Sequence, residues 1–470
     1  MDDLQLDVWL PLAWAVYISA LSVWIVLQKR PPVSTLAWIL SLAALPVLGF
    51  LIYHWLGPVR IRRQQLKRRR SRRRLEREPL SECDVLAALA GPLELRQARL
   101  VERLTRLAPT TAQRVELLSD GEATYEALLA AIREAREHIH CEYYIFEPDR
   151  IGCAVRDALA ERARAGVAVR LLVDAVGSAK LSRRFLRPLR EAGAEVVFFH
   201  PFRLATLRPV LNLRTHRKIA IIDGRIGFTG GINVSDTQDE RVHSGAFRDL
   251  HLRIEGAAVN GLQQVFVEDW LYASRRPLRQ HGMFPQLAHG EIPLQWLPSG
   301  PDTPQEPIHR AMLQAMGDAD QRIWLVTPYF VPPEPALYAL TRAAQRGVDV
   351  RVLVPRRADS RIVTYASRSY FDELLRAGVR VFEYQPRMLH TKALLVDEAL
   401  CTLGSANFDA RSFRLNFELC LNIYGEPSAR ALEAVLLEDF AQAKEVRRPR
   451  RITRRHRLAE AGARLLSPLL

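Results

Sequence analysis

Arg214-Thr-His216-Arg-Lys218-Ile-Ala-Ile-Ile-Asp223, followed by Gly230, Gly231 and Asn233, is the stretch from which the fold can be read. It recurs as His390-Thr-Lys392-Ala-Leu-Leu-Val-Asp397, followed by Gly404, Ser405 and Asn407. Both copies read H-x-K-x4-D-x6-G-[GS]-x-N, with the same offsets over eighteen positions. The residues between Lys and Asp are apolar or small, as in a buried strand. In an extended chain, positions two apart share a face, so each His points the same way as its Lys. One such match carries little weight; two in a single register, each with the same glycine and asparagine trailer, are hard to assign to chance. Lysine usage sharpens the point. Only six of the 67 basic residues are Lys, yet each motif holds one, and a compact ammonium does not substitute for a guanidinium.

Working outward, the segments before each motif also echo one another. A helical pattern over Glu122–Glu137 leads into the apolar strand Ile139–Phe146, and Ile308–Asp320 leads into Ile323–Val331. The run Gly166-Val-Ala-Val-Arg170 matches Gly347-Val-Asp-Val-Arg351, and Gly193 stands where Gly378 stands in the second copy. Glycines close the helices. Helices alternating with strands predict an α/β architecture of two pseudo-symmetric halves, with mixed, largely parallel sheets flanked by helices. Halves that meet face to face would bring His216 and His390, 174 residues apart, into one pocket. Phe247-Arg-Asp249 and Asn416-Phe-Glu418 add one strand carboxylate to each half. Asp223 and Asp397 fall off the His–Lys face and read as structural.

The doubled motif resembles that of the phospholipase D superfamily over about residues 115–445. That resemblance implies phosphodiester exchange in two steps. One imidazole attacks phosphorus and the other protonates the leaving oxygen, then deprotonates the incoming one. The implied catalytic set is His216, Lys218 and Asp223 with His390, Lys392 and Asp397. By family precedent His216 is the nucleophile and His390 the acid and base, an order that pseudo-symmetry leaves open. The lysines would offset charge on the phosphoryl oxygens, where Asn233 and Asn407 would donate hydrogen bonds. Asp249 and Glu418 would each orient a motif imidazole. No metal and no cofactor is implied.

Charge and hydropathy narrow the reading. Net charge is +15, but it is localised: residues 57–78 carry +9, residues 446–470 carry +7, and residues 79–445 sum to zero. A neutral catalytic body argues against a nucleic-acid substrate. Val8–Leu27 and Val33–Leu56 are free of charge and long enough to span a bilayer, joined by Gln28-Lys-Arg-Pro-Pro32. The basic block after the second span puts both termini and the catalytic body in the cytoplasm by the positive-inside rule. The five cysteines are scattered, as expected for reduced thiols. Five segments follow: a transmembrane hairpin (1–56), a basic juxtamembrane linker (57–112), a first half (113–286), a second half (287–445) and a basic tail (446–470). The tail fits either an anionic lipid surface or a disordered stretch. Pro201–Arg214, apolar and basic, reads as either a lipid grip using Arg203 and Arg208 or a plain connection.

With Thr327-Pro-Tyr-Phe-Val-Pro332 and the apolar ending Leu465-Leu-Ser-Pro-Leu-Leu470, the chain resembles the bacterial cardiolipin synthases, enzymes of the cytoplasmic (inner) membrane. These condense two phosphatidylglycerols, so the implied partners are phosphatidylglycerol and anionic membrane lipids. A membrane-bound phospholipase D releasing phosphatidic acid and a phosphatidylserine synthase of the same superfamily remain as alternatives.

Overall fold

The computed structural model describes residues 2–27, 32–45, 85–89, 91–200, 213–278, 280 and 282–467. The chain divides into two compact units, residues 1–63 with 202–212, and residues 64–201 with 213–470. In the smaller unit, helices Asp2–Val26 and Pro32–Ala44 pack through Ile25 and Leu42, with Leu21, Trp38 and Ile39 alongside. Among the described residues no helix is long and apolar enough to cross a membrane. Residues 46–84, which hold the end of the second expected span, lie outside the described residues, as does 201–212 with Arg203 and Arg208.

In the larger unit the first half is a seven-stranded sheet. β1 (Thr110–Ala112) belongs to the other sheet; β2 (Arg114–Ser119) opens this one. It continues with β3 (His138–Tyr143), β4 (Ala168–Asp174) and β5 (Glu195–Phe199). The short β6 (Arg214–Thr215) leads into β7 (Lys218–Ile222), β8 (Ile226–Gly230) and β9 (Leu250–Glu255). The order is β2-β9-β8-β7-β3-β4-β5.

The second half repeats this plan within a ten-stranded sheet. Its strands are β10 (Ile292–Ser299), β11 (Arg322–Val326), β12 (Phe330–Val331), β13 (Asp349–Pro355) and β14 (Arg380–Tyr384). β15 (Ala393–Val396), β16 (Leu400–Gly404), β17 (Phe408–Asp409), β18 (Asn416–Tyr424) and β19 (Ala443–Glu445) complete it, with β12 and β17 paired apart from the main sheet.

The expectation of largely parallel sheets needs correction. Parallel pairing is confined to β3-β4-β5, β11-β13-β14 and the two-residue pairs β6-β18 and β12-β17; the other pairings along both sheets are antiparallel. The cause is connection length. Helices link the parallel strands, whereas β7 and β8 are joined by a turn of three residues, which permits only a hairpin.

Apolar residues from both halves share one core. Ile219, Ile221 and Phe199 of the first cluster with Trp324, Leu395 and Phe417 of the second. The helix Pro92–Thr105, in the expected linker, lends Leu93, Ala98 and Val101 to the second half's core. The basic tail forms a helix, Arg454–Leu465, docked on the second half. Arg450 bonds Glu460 at 2.6 Å, and Arg464 sits 4.3 Å over the Tyr370 ring.

Candidate active site

The motif aspartates explain how each motif strand is fastened. Asp223 and Asp397 close the turns after β7 and β15 with φ of 52° and 51°. Asp223 accepts from the backbone N–H of Arg136, Glu137 and His138 at 2.8–2.9 Å. Asp397 accepts from Asp320, Gln321 and Arg322 at 2.8–3.0 Å. Each carboxylate thus staples the motif hairpin to the entry of the neighbouring strand, away from the imidazoles.

The imidazoles are held crosswise. His216 Nδ1 lies 3.0 Å from Glu418 Oε2 of the second half. His390 Nδ1 lies 2.5 Å from Asp249 Oδ2 of the first. The backbone repeats the exchange: His216 N–H donates to Phe417 O at 2.8 Å and His390 N–H to Arg248 O at 2.6 Å. β6 supports this by pairing with β18 in parallel, Arg214 opposite Asn416. Each histidine is therefore placed by the strand that carries its carboxylate, and the site exists only where the halves meet.

The two histidines, their two carboxylates and the motif lysines Lys218 and Lys392 are nearly inaccessible; Lys218, Asp249 and Glu418 are at most 1% exposed. Burial sets their electrostatics. It pushes His216 down to about 4, against the pull of Glu418, and Lys218 adds to the depression. His390 is lowered by burial and then by Lys392, against Asp249. Lys218 falls to about 7 and Lys392 to about 8, both through burial first. For the carboxyls, burial acts upward but is outweighed. Lys392 and His390 hold Asp249 below its usual range, and His216 and Lys218 do so for Glu418. Each half's lysine also depresses the other half's histidine, so the two pairs share one field. The consistent protonation state is ionised carboxylates, each accepting Nδ1–H from a neutral imidazole. That leaves each Nε2 with a lone pair.

The lysines sit close behind. Lys218 Nζ donates to His216 O at 2.7 Å and lies 5.5 Å over the Tyr144 ring. Lys392 Nζ lies 2.8 Å from His390 Nδ1, donates to His390 O and is 3.7 Å from Asp249. Both asparagines are buried. Asn233 Oδ1 accepts from Ile145 N–H at 3.2 Å, while Asn407 Oδ1 has no partner among the described residues. Two carboxylate-held imidazoles and two buried lysines thus meet where the halves join.

Several residues here escaped the sequence reading. Arg217, between His216 and Lys218, is buried and paired with Asp269. It donates to Glu418 O at 3.0 Å and Ser299 O at 3.2 Å, so it ties the orienting strand to the first half. Ser405 Oγ donates to Glu418 Oε2 at 2.5 Å. Tyr144 meets His216 edge-on at 4.9 Å. Asp174 accepts from Thr215 N–H at 3.0 Å, next to the motif histidine. Ser405 was visible in the motif trailer; Arg217 and Asp174 carry no local signal.

The family described as "Cardiolipin synthase, PLD-like domain" matches at residues 128–266 and 312–440. "Phospholipase_D-nuclease N-terminal" matches at 15–58. Cardiolipin synthase 1 of Bacillus anthracis is 41% identical over 475 positions, covering 97% of this chain and 93% of that protein. The cardiolipin synthase of Geobacillus kaustophilus is 40% identical, covering 94% and 90%. Among solved structures, phosphatidylserine synthase of Haemophilus influenzae superposes with a TM-score of 0.59 at 16% identity. It covers 80% of this chain and all of its own, a likeness of fold.

Proposed function

The chain belongs to the cardiolipin synthase family of phospholipase D-like enzymes, and from that premise we propose that it condenses two phosphatidylglycerols into cardiolipin and glycerol. The observation that carries this reading is the crosswise pair of carboxylate-held imidazoles flanked by Lys218 and Lys392. One Nε2 attacks the donor's phosphorus; the other imidazole, which takes up a solvent proton on Nε2 as the anionic diester binds, gives that proton to the departing glycerol oxygen. We assign His216 as the attacking ring and His390 as the acid and base. Binding the anionic diester favours the charged lysines, which offset the growing charge on the phosphoryl oxygens. Asn233 and Asn407 are assigned to donate their amide N–H there. A second phosphatidylglycerol then delivers a hydroxyl, His390 takes its proton, and cardiolipin leaves. Asp223 and Asp397 act through the backbone they fasten.

Product analysis tests this. Purified protein with phosphatidylglycerol vesicles, no nucleotide and added chelator should yield cardiolipin and glycerol in equal amounts. Phosphatidic acid with glycerol would mark a hydrolase instead.

The N-terminal unit is proposed as a two-helix anchor in the cytoplasmic membrane, with the body on the cytoplasmic side. Its support is the uncharged stretch Val8–Leu27 and the N-terminal family match over 15–58. Anchoring would concentrate donor and acceptor lipids at one surface. The full chain should stay with membranes through a carbonate wash, and release of the intact chain would contradict the anchor.

A further inference from the structure

The two halves differ beside the motif asparagine. In the first half this place belongs to Ile145: Phe146 bridges Val234 in parallel, and Ile145 N–H satisfies Asn233 Oδ1. In the second half β12 pairs with β17, Phe330 opposite Phe408, so the place beside Asn407 belongs to Tyr329. Thr327 fastens the turn, its Oγ1 donating to Tyr329 O and accepting from Phe408 N–H, both at 3.0 Å. The Tyr329 phenol donates to Asp359 Oδ2 at 2.7 Å. Asp359 is exposed, and its charge favours the ammonium form of Lys392. Asn407 is 5% exposed, and its Oδ1 has no partner among the described residues.

An ionised carboxylate and an amide carbonyl only accept hydrogen bonds. Toward a phosphate oxygen they are repulsive or inert; toward a hydroxyl they are good partners. Their presence beside the motif asparagine therefore calls for a neutral polyol next to the phosphoryl site. The geometry points to the Tyr329–Asp359 pair, with Asn407 Oδ1, as the subsite that holds the acceptor alcohol and selects a glycerol hydroxyl over water. This rests on the phosphatidyl-transfer reading above. In the second step the acceptor oxygen bonds to phosphorus as the P–N bond to His216 breaks. The electron pair returns to that nitrogen, and the hydroxyl proton passes to His390 Nε2. The neighbouring hydroxyl of the glycerol donates to Asp359 or to Asn407 Oδ1, which water and monohydric alcohols cannot reproduce. By microscopic reversibility the same groups hold the glycerol that leaves the donor.

The test is a partition experiment on the full chain. Phosphatidylglycerol vesicles are supplied with equal concentrations of labelled glycerol and ethanol. The ratio of labelled phosphatidylglycerol to phosphatidylethanol is measured for wild type, Asp359→Asn and Tyr329→Phe. This ratio is fixed after the phosphatidyl-enzyme forms, so a slower first step does not disturb it. Wild type should favour glycerol, and each variant should lose about tenfold of that preference, the scale for one lost charged hydrogen bond. If total turnover falls while the ratio stays at the wild-type value, the pair is merely structural and the proposal is overturned. If wild type transfers to no alcohol at all, the phosphatidyl-transfer reading fails and takes this proposal with it.

Discussion

The two halves place a carboxylate oxygen against the opposite imidazole by different means. The first half uses the shorter Asp249, which also accepts from Leu250 N–H at 2.8 Å. Its motif neighbour is Gly231, and a Cβ there would collide with the Asp249 carboxylate. The second half uses the longer Glu418, which accepts from Ser405 and, at 3.1 Å, from Asn416 Nδ2. The variable third-from-last position of the motif is thus a fitted pair with the carboxylate facing it: glycine with Asp, serine with Glu. What the repeat preserves is the position of the acceptor oxygen, not the residue that supplies it.

Breaking the carboxylates should have the largest effect. Glu418→Gln and Asp249→Asn should each cost roughly 10²–10⁴ in turnover, because the amide favours the wrong tautomer. The crosswise arrangement adds a sharper readout. In imidazole NMR, Glu418→Gln should perturb His216 more than His390, and Asp249→Asn should do the reverse. A larger perturbation within the same half would refute the exchange.

Next come the lysines. Lys218→Met and Lys392→Met should each lower turnover by roughly 10²–10³, as for a lost charge stabiliser. Smaller still is the fitted position. Ser405→Ala removes one hydrogen bond to a charged group, worth about 1.5–3 kcal/mol at most, and should slow turnover about tenfold. Gly231→Ala, which displaces the carboxylate, should cost more than Ser405→Ala, and equal costs would dissolve the comparison.

The smallest effect is on stability. Lys218 is depressed to about 7 from 10.5 in the folded chain. Between those values the unfolded chain binds a proton that the folded chain does not, so this group makes stability rise with pH across that window. Denaturant midpoints should climb from pH 7 toward pH 10 in wild type, and Lys218→Met should flatten that climb.

Much of this was legible in the chain itself. Buried strands between fixed turns wrote the same pattern twice, so the two halves and the motif strands stood out. The helix-linked strands were read as parallel, and β3-β4-β5 and β11-β13-β14 are. The antiparallel majority follows from tight turns at Asp223 and Asp397, whose short spacing outweighs the βαβ pattern around them. The crosswise pairs were not legible. His216 and Glu418 are 202 positions apart, and only the meeting of two sheets decides which histidine each carboxylate serves. Arg217 is hidden for a similar reason, since its partners Asp269, Ser299 and Glu418 come from three distant segments. In the tail, Glu460 and Ala463, three residues apart and both buried, mark the face that docks the helix; the run of arginines around them masks it.

Trapping the covalent intermediate tests the central claim most directly. His390→Asn protein, which lacks the base of the second step and forms the adduct slowly for want of the first step's acid, is incubated at length with phosphatidylglycerol and quenched, and its peptides are mapped by mass spectrometry. The account predicts a phosphatidyl group on His216, and none in His216→Asn protein treated alike. An adduct on a residue outside the two motifs, or glycerol release at the wild-type rate from either variant, would contradict it.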